Sequence, residues 1–208
     1  MTRDAIRQTA AERFFRQGYE STTVREIADA LDIRAASIYY HYPDKQQILF
    51  ELIDSTMTLL TDGVRAAVAT EPRPADQLVA VVVHHVALHA LRPLEATLGE
   101  TELRSLTGER LDLAVAHRDA YEAILLGVLL RGAEAGELAA PDPKLAAYAV
   151  ISMCTNVGIW YRPDGRLTLT EVAAAYATMA ARLVGAAPPE PALVDRALAQ
   201  AVAAYTFR

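Results

Sequence analysis

An all-α fold is what this chain predicts, and three observations carry that expectation. Of its 208 residues 52% are apolar, with alanine and leucine well ahead of β-branched residues, a balance that favours helices over strands. Apolar residues recur at helical spacing in segment after segment. The breaks between these segments fall at prolines and glycines, the residues that open and close helices.

The elements follow in order. Residues 3–17 form the first helix, with Ile6, Ala10 and Phe14 on one stripe, Ala11 and Phe15 widening it, and Gly18 as its stop. Val24, Ile27, Ala28 and Leu31 fall at i, i+3, i+4, i+7, one face of a short second helix, and Thr23 with Glu26 three residues on makes a capping-box start. A turn follows at Leu31-Asp32-Ile33. Arg34–Tyr42 then forms a third short helix that carries Arg, Ser, three tyrosines and a histidine within nine positions, and Pro43 ends it. A fourth helix spans about 44–69, with Leu49, Leu52, Ile53 and Leu60 inward, and the Pro72 and Pro74 segment breaks it. A fifth spans about 75–90. Residues 94–108 hold one or two short helical turns, and a long helix covers about 109–135, closed by Gly136. Pro141 and Pro143 open a helix over about 144–161, and Arg162–Gly165 is a turn by its residue types. Helix 170–185 has Val172, Ala175, Tyr176, Met179 and Leu183 on one stripe. A proline-rich linker, 186–191, leads to a last helix over about 192–205.

Charge and motifs narrow the function classes. The net charge is −6, yet residues 1–50 balance 7 Lys/Arg against 7 Asp/Glu, so the acidic surplus lies elsewhere and the N-terminal part can present a local basic face. The single cysteine, Cys154, forbids an internal disulfide and fits a reducing compartment. The N-terminus is amphipathic with no apolar signal core, so a cytoplasmic location is expected. The charge-free run 145–161 contains Ser152, Thr155, Asn156 and Gly158, which reads as a buried helix rather than a membrane span. There is no Gly-rich phosphate loop, no G-x-S-x-G and no H-E-x-x-H, so no enzyme is expected. His85 and His89 stand at i, i+4 as metal ligands can, but no cysteine or carboxylate lies nearby in sequence. His84, His85 and His89 therefore read as polar lining or as a solvated face, and neither metal nor cofactor is expected.

Gly18-Tyr19, Thr22-Thr23-Val24, Ile27-Ala28, Ile33, Ser37-Ile38-Tyr39, His41-Tyr42 and Lys45 together carry a resemblance: residues 3–49 resemble the DNA-binding domain of the TetR family of one-component bacterial transcriptional regulators. The resemblance implies a helix-turn-helix domain over residues 1–48 and a larger ligand-binding and dimerisation domain over 49–208. In that frame the third helix enters a major groove. Arg34 pairs with guanine or with a phosphate, Ser37 bonds a base edge, and Ala35 allows close approach or meets a thymine methyl. Tyr39, Tyr40, His41 and Lys45 clamp phosphates, and Thr22 and Thr23 with the amides of the second helix, assisted by Arg25, form another phosphate site. Tyr42 shares a face with Ile38 and belongs to the core. Two positions depart from the family pattern: Asp32 stands where glycine is usual, and Arg34 where a serine cap is common.

The remaining chain resembles the family's regulatory domain. Leu103-Arg104-Ser105-Leu106 and the run Asn156-x-x-x-Trp160-Tyr161-Arg162-Pro163-x-Gly165-x-Leu167 resemble a subgroup that senses acyl-CoA thioesters and controls lipid or sterol catabolism. The candidate effector contacts are His89, Arg104, Tyr121, Asn156, Trp160, Arg162 and Arg166, the arginines suited to a polyanionic head and Trp160 to a flat or apolar group. A second reading has Trp160–Pro163 ending a helix at a dimer edge. Helices 144–161 and 170–185 are alanine-rich and nearly uncharged, and the resemblance implies a homodimer through them, hence a palindromic operator. The expected function is a ligand-responsive DNA-binding regulator, a repressor released by a hydrophobic or acyl-CoA-type effector, with the 44–69 helix joining effector site to reading head. The rival is a helical carrier or enzyme that does not bind DNA.

Overall fold

The computed structural model describes residues 2–206, and among them every regular element is helical. Helices α1 (Arg3–Gln17), α2 (Val24–Ala30) and α3 (Ala35–His41) precede the long α4 (Lys45–Thr70), then α5 (Pro74–Leu91) and α6 (Pro93–Thr101). A 3-10 turn at Leu103–Ser105 leads to α7 (Gly108–Glu134), followed by α8 (Pro143–Thr155), α9 (Val157–Trp160), α10 (Leu169–Leu183) and α11 (Pro191–Thr206). No single helix among the described residues is long and apolar enough to cross a membrane.

The chain folds into two compact units. The first takes residues up to 57 and residues 94–117; the second takes 58–93 and everything from 118 on. The core of the first unit gathers Ile6, Ala10 and Phe14 of α1, Ile27 and Ala28 of α2, Ile38 and Tyr42, and Ile48, Leu49, Leu52 and Ile53 of α4. Leu98, Leu106 and Ala114 from the later segment join them. Thr2 caps α1 by accepting from the Ala5 N–H, and Gly18 ends it at φ 84, where a side chain would be strained. Phe15, expected to widen the α1 stripe, is instead 53% exposed.

In the second unit α5 is central. Every residue from Leu78 to Ala90 is buried, and α8, α9, α10 and α11 pack on it. A helix apolar all round, here a run of valines, belongs in such a position. Helix α10 has two apolar faces. Val172, Ala173, Ala177, Ala180 and Ala181 pack inward, and Met179 and Leu183 face out. The stripe from Val172 to Leu183 is therefore split between the two faces.

Two expected elements differ. The single helix over 144–161 is broken at Asn156, whose side-chain amide donates to the Ser152 carbonyl at 2.7 Å. That bond competes with the backbone ladder. Gly158 then brings α9 against α5, since a Cβ there would stand 3.2 Å from the His89 carbonyl oxygen. Residues 94–108 hold more helix than expected, eight of the nine residues of α6 and the 3-10 turn.

Candidate DNA-reading head and effector site

The head is built from the cap of α2 outward. The Thr23 hydroxyl accepts from the Glu26 N–H at 3.2 Å, and the Glu26 carboxylate accepts from the Thr23 N–H at 2.7 Å and from its hydroxyl at 2.9 Å. The backbone bond first, then the hydroxyl bond, hold the Glu26 carboxyl below its usual range. The turn that follows closes with the Leu31 and Ile33 N–H groups both on the Ala28 carbonyl. Asp32 sits at φ 53, the only non-glycine residue with positive φ among those described. Arg34 is the N-cap of α3 in extended conformation, with no side-chain cap bond.

The two faces of α3 then separate. Ile38 and Tyr42 are fully in the core, with the Arg3 guanidinium 4.6 Å above the Tyr42 ring. Arg34, Ser37, Tyr39 and Tyr40 face solvent, while Ala35 and His41 are half-buried. Tyr40 is 86% exposed and stands edge-on to the His41 ring. Two aromatic rings and a guanidinium, displayed outward on a seven-residue helix held rigid from beneath, form a surface suited to a partner carrying phosphates and base edges. Thr23 and Arg25 are exposed beside it, Arg25 in a loose pair with Asp29 at 3.9 Å.

Two expected phosphate contacts have other tasks. The Thr22 side chain is buried, and its hydroxyl donates to the Gly18 carbonyl at 2.9 Å. The Lys45 ammonium donates to the Tyr19 and Thr22 carbonyls at 2.7 and 2.8 Å and lies 4.0 Å from the Tyr19 ring centroid. Lys45 thus ties the start of α4 to the loop between α1 and α2. Its bonds give the Thr22 carbonyl a donor and add a second one to the Tyr19 carbonyl, which also accepts from the Thr22 N–H at 3.1 Å.

A polar seam that spacing could not reveal joins the head to the 94–117 segment of the same unit. Arg110 donates to both Asp44 carboxylate oxygens at 3.0 Å and to Gln47 at 3.1 Å. Burial pushes the Asp44 carboxyl up, but the Arg110 and backbone bonds outweigh it and hold the group below its usual range. Gln46 bonds Thr107, and Glu102 accepts from the Tyr19 N–H.

The expected effector residues fall into separate places. His85 sits at the centre of a buried network in the second unit, its Nδ1 2.6 Å from the Tyr121 hydroxyl and its Nε2 3.2 Å from the Thr155 hydroxyl. His89 stacks on His85 at 4.5 Å and bonds its backbone carbonyl. His84 pairs with the Tyr205 hydroxyl at 2.9 Å, and its buried Nε2 has no partner. Burial holds all three imidazoles neutral, pushing His84 and His89 down to about 4 and His85 well below its ordinary value. The solvated-face reading of these histidines is thereby excluded. Among the described residues no group of three or more His, Cys, Asp or Glu is placed to hold a metal ion.

On the outside of the same unit Trp160, Arg162 and Arg166 line a cleft of about 220 Å³ with Tyr161, Gly165 and Leu167. Trp160 stacks on Tyr176 of α10, and the Arg162 guanidinium rests on the Ile159 and Tyr161 carbonyls. Asn156 is exposed at the break between α8 and α9. That break links the two places: Thr155 reaches His85, Gly158 packs on His89, and Trp160 opens to the cleft. Arg104 is exposed and belongs to the first unit, apart from the other candidates in the chain's division.

Comparison with known proteins identifies the family of both parts of the chain. Residues 6–52 match the model for bacterial regulatory proteins of the tetR family, and residues 71–184 match that for the tetracyclin repressor-like C-terminal domain. A solved tetR-family regulator from Rhodococcus RHA1 superposes with TM-score 0.84 at 30% identity, covering 89% of this chain and 97% of that one. The structure of AibR in complex with isovaleryl coenzyme A and operator DNA superposes with TM-score 0.79 at 29% identity, covering 90% and 99%. The HTH-type transcriptional repressor KstR2 of Mycolicibacterium smegmatis is 25% identical over 84% of this chain and 86% of its own length. The chain belongs to the TetR family of bacterial regulatory proteins and is a TetR-type, ligand-responsive helix-turn-helix transcriptional repressor.

Proposed function

We propose that the chain is a homodimeric repressor that leaves a palindromic operator when an acyl-CoA thioester binds the second unit. The observation that carries this reading is the join across α9. A buried, uncharged wall (His85, His89, Tyr121) lies on one side of it, and a cleft with two arginines and a tryptophan on the other. An acyl-CoA has the same division, an apolar acyl group and a polyanionic head with a flat base. Arg162 and Arg166 suit the phosphates, and Trp160 offers a ring face. The cleft, at about 220 Å³, holds one ring or phosphate group and not a whole nucleotide, so the rest of the head lies along the surface. The relative solved with isovaleryl coenzyme A and operator DNA supports the same class of effector.

On the DNA side, Arg34, Ala35 and Ser37 meet base edges, and Thr23, Arg25, Tyr39, Tyr40 and His41 hold phosphates, with Lys45 positioning the head from within. Leu145, Tyr148, Met179 and Leu183 are all large, apolar and exposed on α8 and α10. Such a patch on two neighbouring helices needs a cover, and a symmetric copy supplies it. The dimer presents two heads to two half-sites. The effector acts by its differential affinity for the arrangement that fits the operator and the one that does not.

Calorimetric titration with acyl-CoA thioesters of graded chain length, beside the matching free acids and CoA alone, tests the effector class. Binding of a thioester with release of operator DNA is the expected result. Release by the free acids, with no response to any thioester, overturns it. In the same assay Arg162→Ala and Arg166→Ala together weaken thioester binding at least tenfold and leave operator binding in its absence unchanged.

A further inference from the structure

Helix α11 lies beyond the residues that the C-terminal family model matches. It nevertheless touches α4, the continuous helix that runs from Lys45, at the head, to Thr70, at Gly63, and bonds Glu71, the residue that follows it. Near its start, Arg196 donates to both carboxylate oxygens of Glu71 at 3.0 and 3.1 Å. Glu71 directly follows the last residue of α4 and is itself buried. Near its end, the Tyr205 side chain is sunk into the unit, 1% exposed, with its hydroxyl 2.9 Å from His84 Nδ1 and its ring edge-on to the imidazole. The Tyr205 carbonyl accepts from Arg92 Nε at 2.9 Å.

The tip of Tyr205 lies directly on α4. A Cβ placed on Gly63 would stand 2.5 Å from the Tyr205 hydroxyl oxygen and 3.0 Å from Cε1. Glycine inside a helix is less favourable than alanine, and here it provides the room for that ring. The tyrosine cannot move aside freely, because its hydroxyl, ring and carbonyl are each engaged.

We propose that α11 is a strap on α4: Tyr205, seated between Gly63 and His84, together with Arg196 on Glu71, fixes the position of α4 and so keeps the DNA-reading head in the arrangement that matches the operator. The inference rests on the reading of the chain as an operator-binding repressor. Its direction follows from pre-organisation. A loosened α4 samples more positions, the fraction of molecules with a matching arrangement falls, and apparent operator affinity falls by the same fraction.

The test uses the full-length protein without effector, at a temperature where circular dichroism shows every variant folded, and the DNA upstream of its own gene as probe. Gly63→Ala and Tyr205→Leu each unseat the strap, so each weakens operator binding about tenfold although neither residue belongs to the head. Because both act through one contact, the double variant binds no more weakly than either single one. Arg34→Ala combined with Gly63→Ala gives the product of the two single effects. Wild-type affinity in the folded single variants, or multiplicative loss in the Gly63/Tyr205 pair, overturns the strap. A second measurement decides the matter without DNA. Hydrogen exchange of α4 amides in Gly63→Ala speeds up in residues 45–57 as well as 58–70, whereas a merely local packing role confines the change to 58–70. Should wild type fail to bind its upstream DNA, the repressor reading fails, and the exchange pattern alone judges the strap.

Discussion

Helices α3 and α5 both concentrate rings and hydrogen-bonding groups in a short stretch, and they use them in opposite ways. At α3, Arg34 of the N-cap and Ser37, Tyr39 and Tyr40 point into water, while Ile38 and the following Tyr42, with Ala35 packed partly against the core, anchor the helix. On α5, His84, His85 and His89 point into a core where every neighbour from Leu78 to Ala90 is buried. Polar groups displayed outward on a rigid support suit a hydrated, charged partner such as DNA. Polar groups kept neutral inside an apolar unit suit an uncharged, largely apolar one. The contrast is between a surface open to a charged partner and a core closed to water.

The sharpest way to break that contrast is pH. The folded-state values of His84 and His89 are depressed to about 4 and that of His85 lies well below its ordinary value, all by burial. Above the unfolded value of roughly 6.5 both states are neutral and the stability is fully present. As pH falls from there toward about 4, only the unfolded chain takes up protons, and the fold loses stability. Each such histidine removes about 1.4 kcal/mol per pH unit across that window. Chemical denaturation from pH 7 to 5 should show the loss, and His89→Leu should reduce its slope by about one third, since one of three comparable contributors is gone. Arg34→Ala, on the exposed helix, should leave the slope as it is. An unchanged slope in His89→Leu would mean that α5 is more open to water than its burial indicates.

The counterpart on α3 is a change in recognition without a change in stability. Arg34→Ala should weaken operator binding by about 1–3 kcal/mol if the guanidinium reads a base, with relaxed preference at one position of each half-site. If it holds a phosphate instead, binding weakens for all sequences alike. Melting temperature should not move in either case, because Arg34 is exposed and makes no cap bond.

Lys45 and Arg25 sharpen the boundary between support and contact. The Lys45 ammonium is engaged by two carbonyls and a ring, so Lys45→Ala should destabilise the head by about 1–3 kcal/mol through the Thr22 carbonyl it leaves without this donor and the contact it loses on the Tyr19 ring. It should leave the dependence of log affinity on log salt unchanged. Arg25→Ala should do the reverse, lowering that slope by about 0.9 with no shift in melting. A reduced salt slope in Lys45→Ala would return that residue to the phosphate contacts.

What was legible in the sequence divides along the same line. The Thr23–Glu26 cap, the Asp32 turn and the Ile38–Tyr42 face are local patterns, set by neighbours within four residues, and the structure holds each of them. The inward residues Leu49, Leu52, Ile53 and Leu60 of α4 follow from periodicity alone. The Lys45 ammonium bonds carbonyls of the loop before α2, and spacing says nothing of carbonyl direction. The Arg110–Asp44 pair lies 66 residues apart in the chain. The run 145–161 shows no charge at which to place a break, yet Asn156 and Gly158 bend it toward α5. The outward face of α10 is apolar like its inward one, so periodicity could not say which side was which.

The smallest effect lies at the one strained residue of the head. Asp32 holds φ 53, a region that disfavours most side chains but that Asp and Asn tolerate better than others. Asp32→Gly relieves that strain, yet gives the unfolded chain roughly 0.5–1 kcal/mol of extra entropy to lose, so net stability should change by less than about 1 kcal/mol. The same substitution removes an exposed negative charge from the turn directly before α3, and operator affinity should rise a few-fold at low salt and less at high salt. Asp32→Asn separates the two causes. It keeps a residue tolerant of positive φ and removes only the charge, so it should reproduce the affinity gain with no change in melting. A gain with Asp32→Gly that Asp32→Asn does not share would assign the effect to the backbone of the turn, and would show that α3 is held less firmly than its buried face indicates.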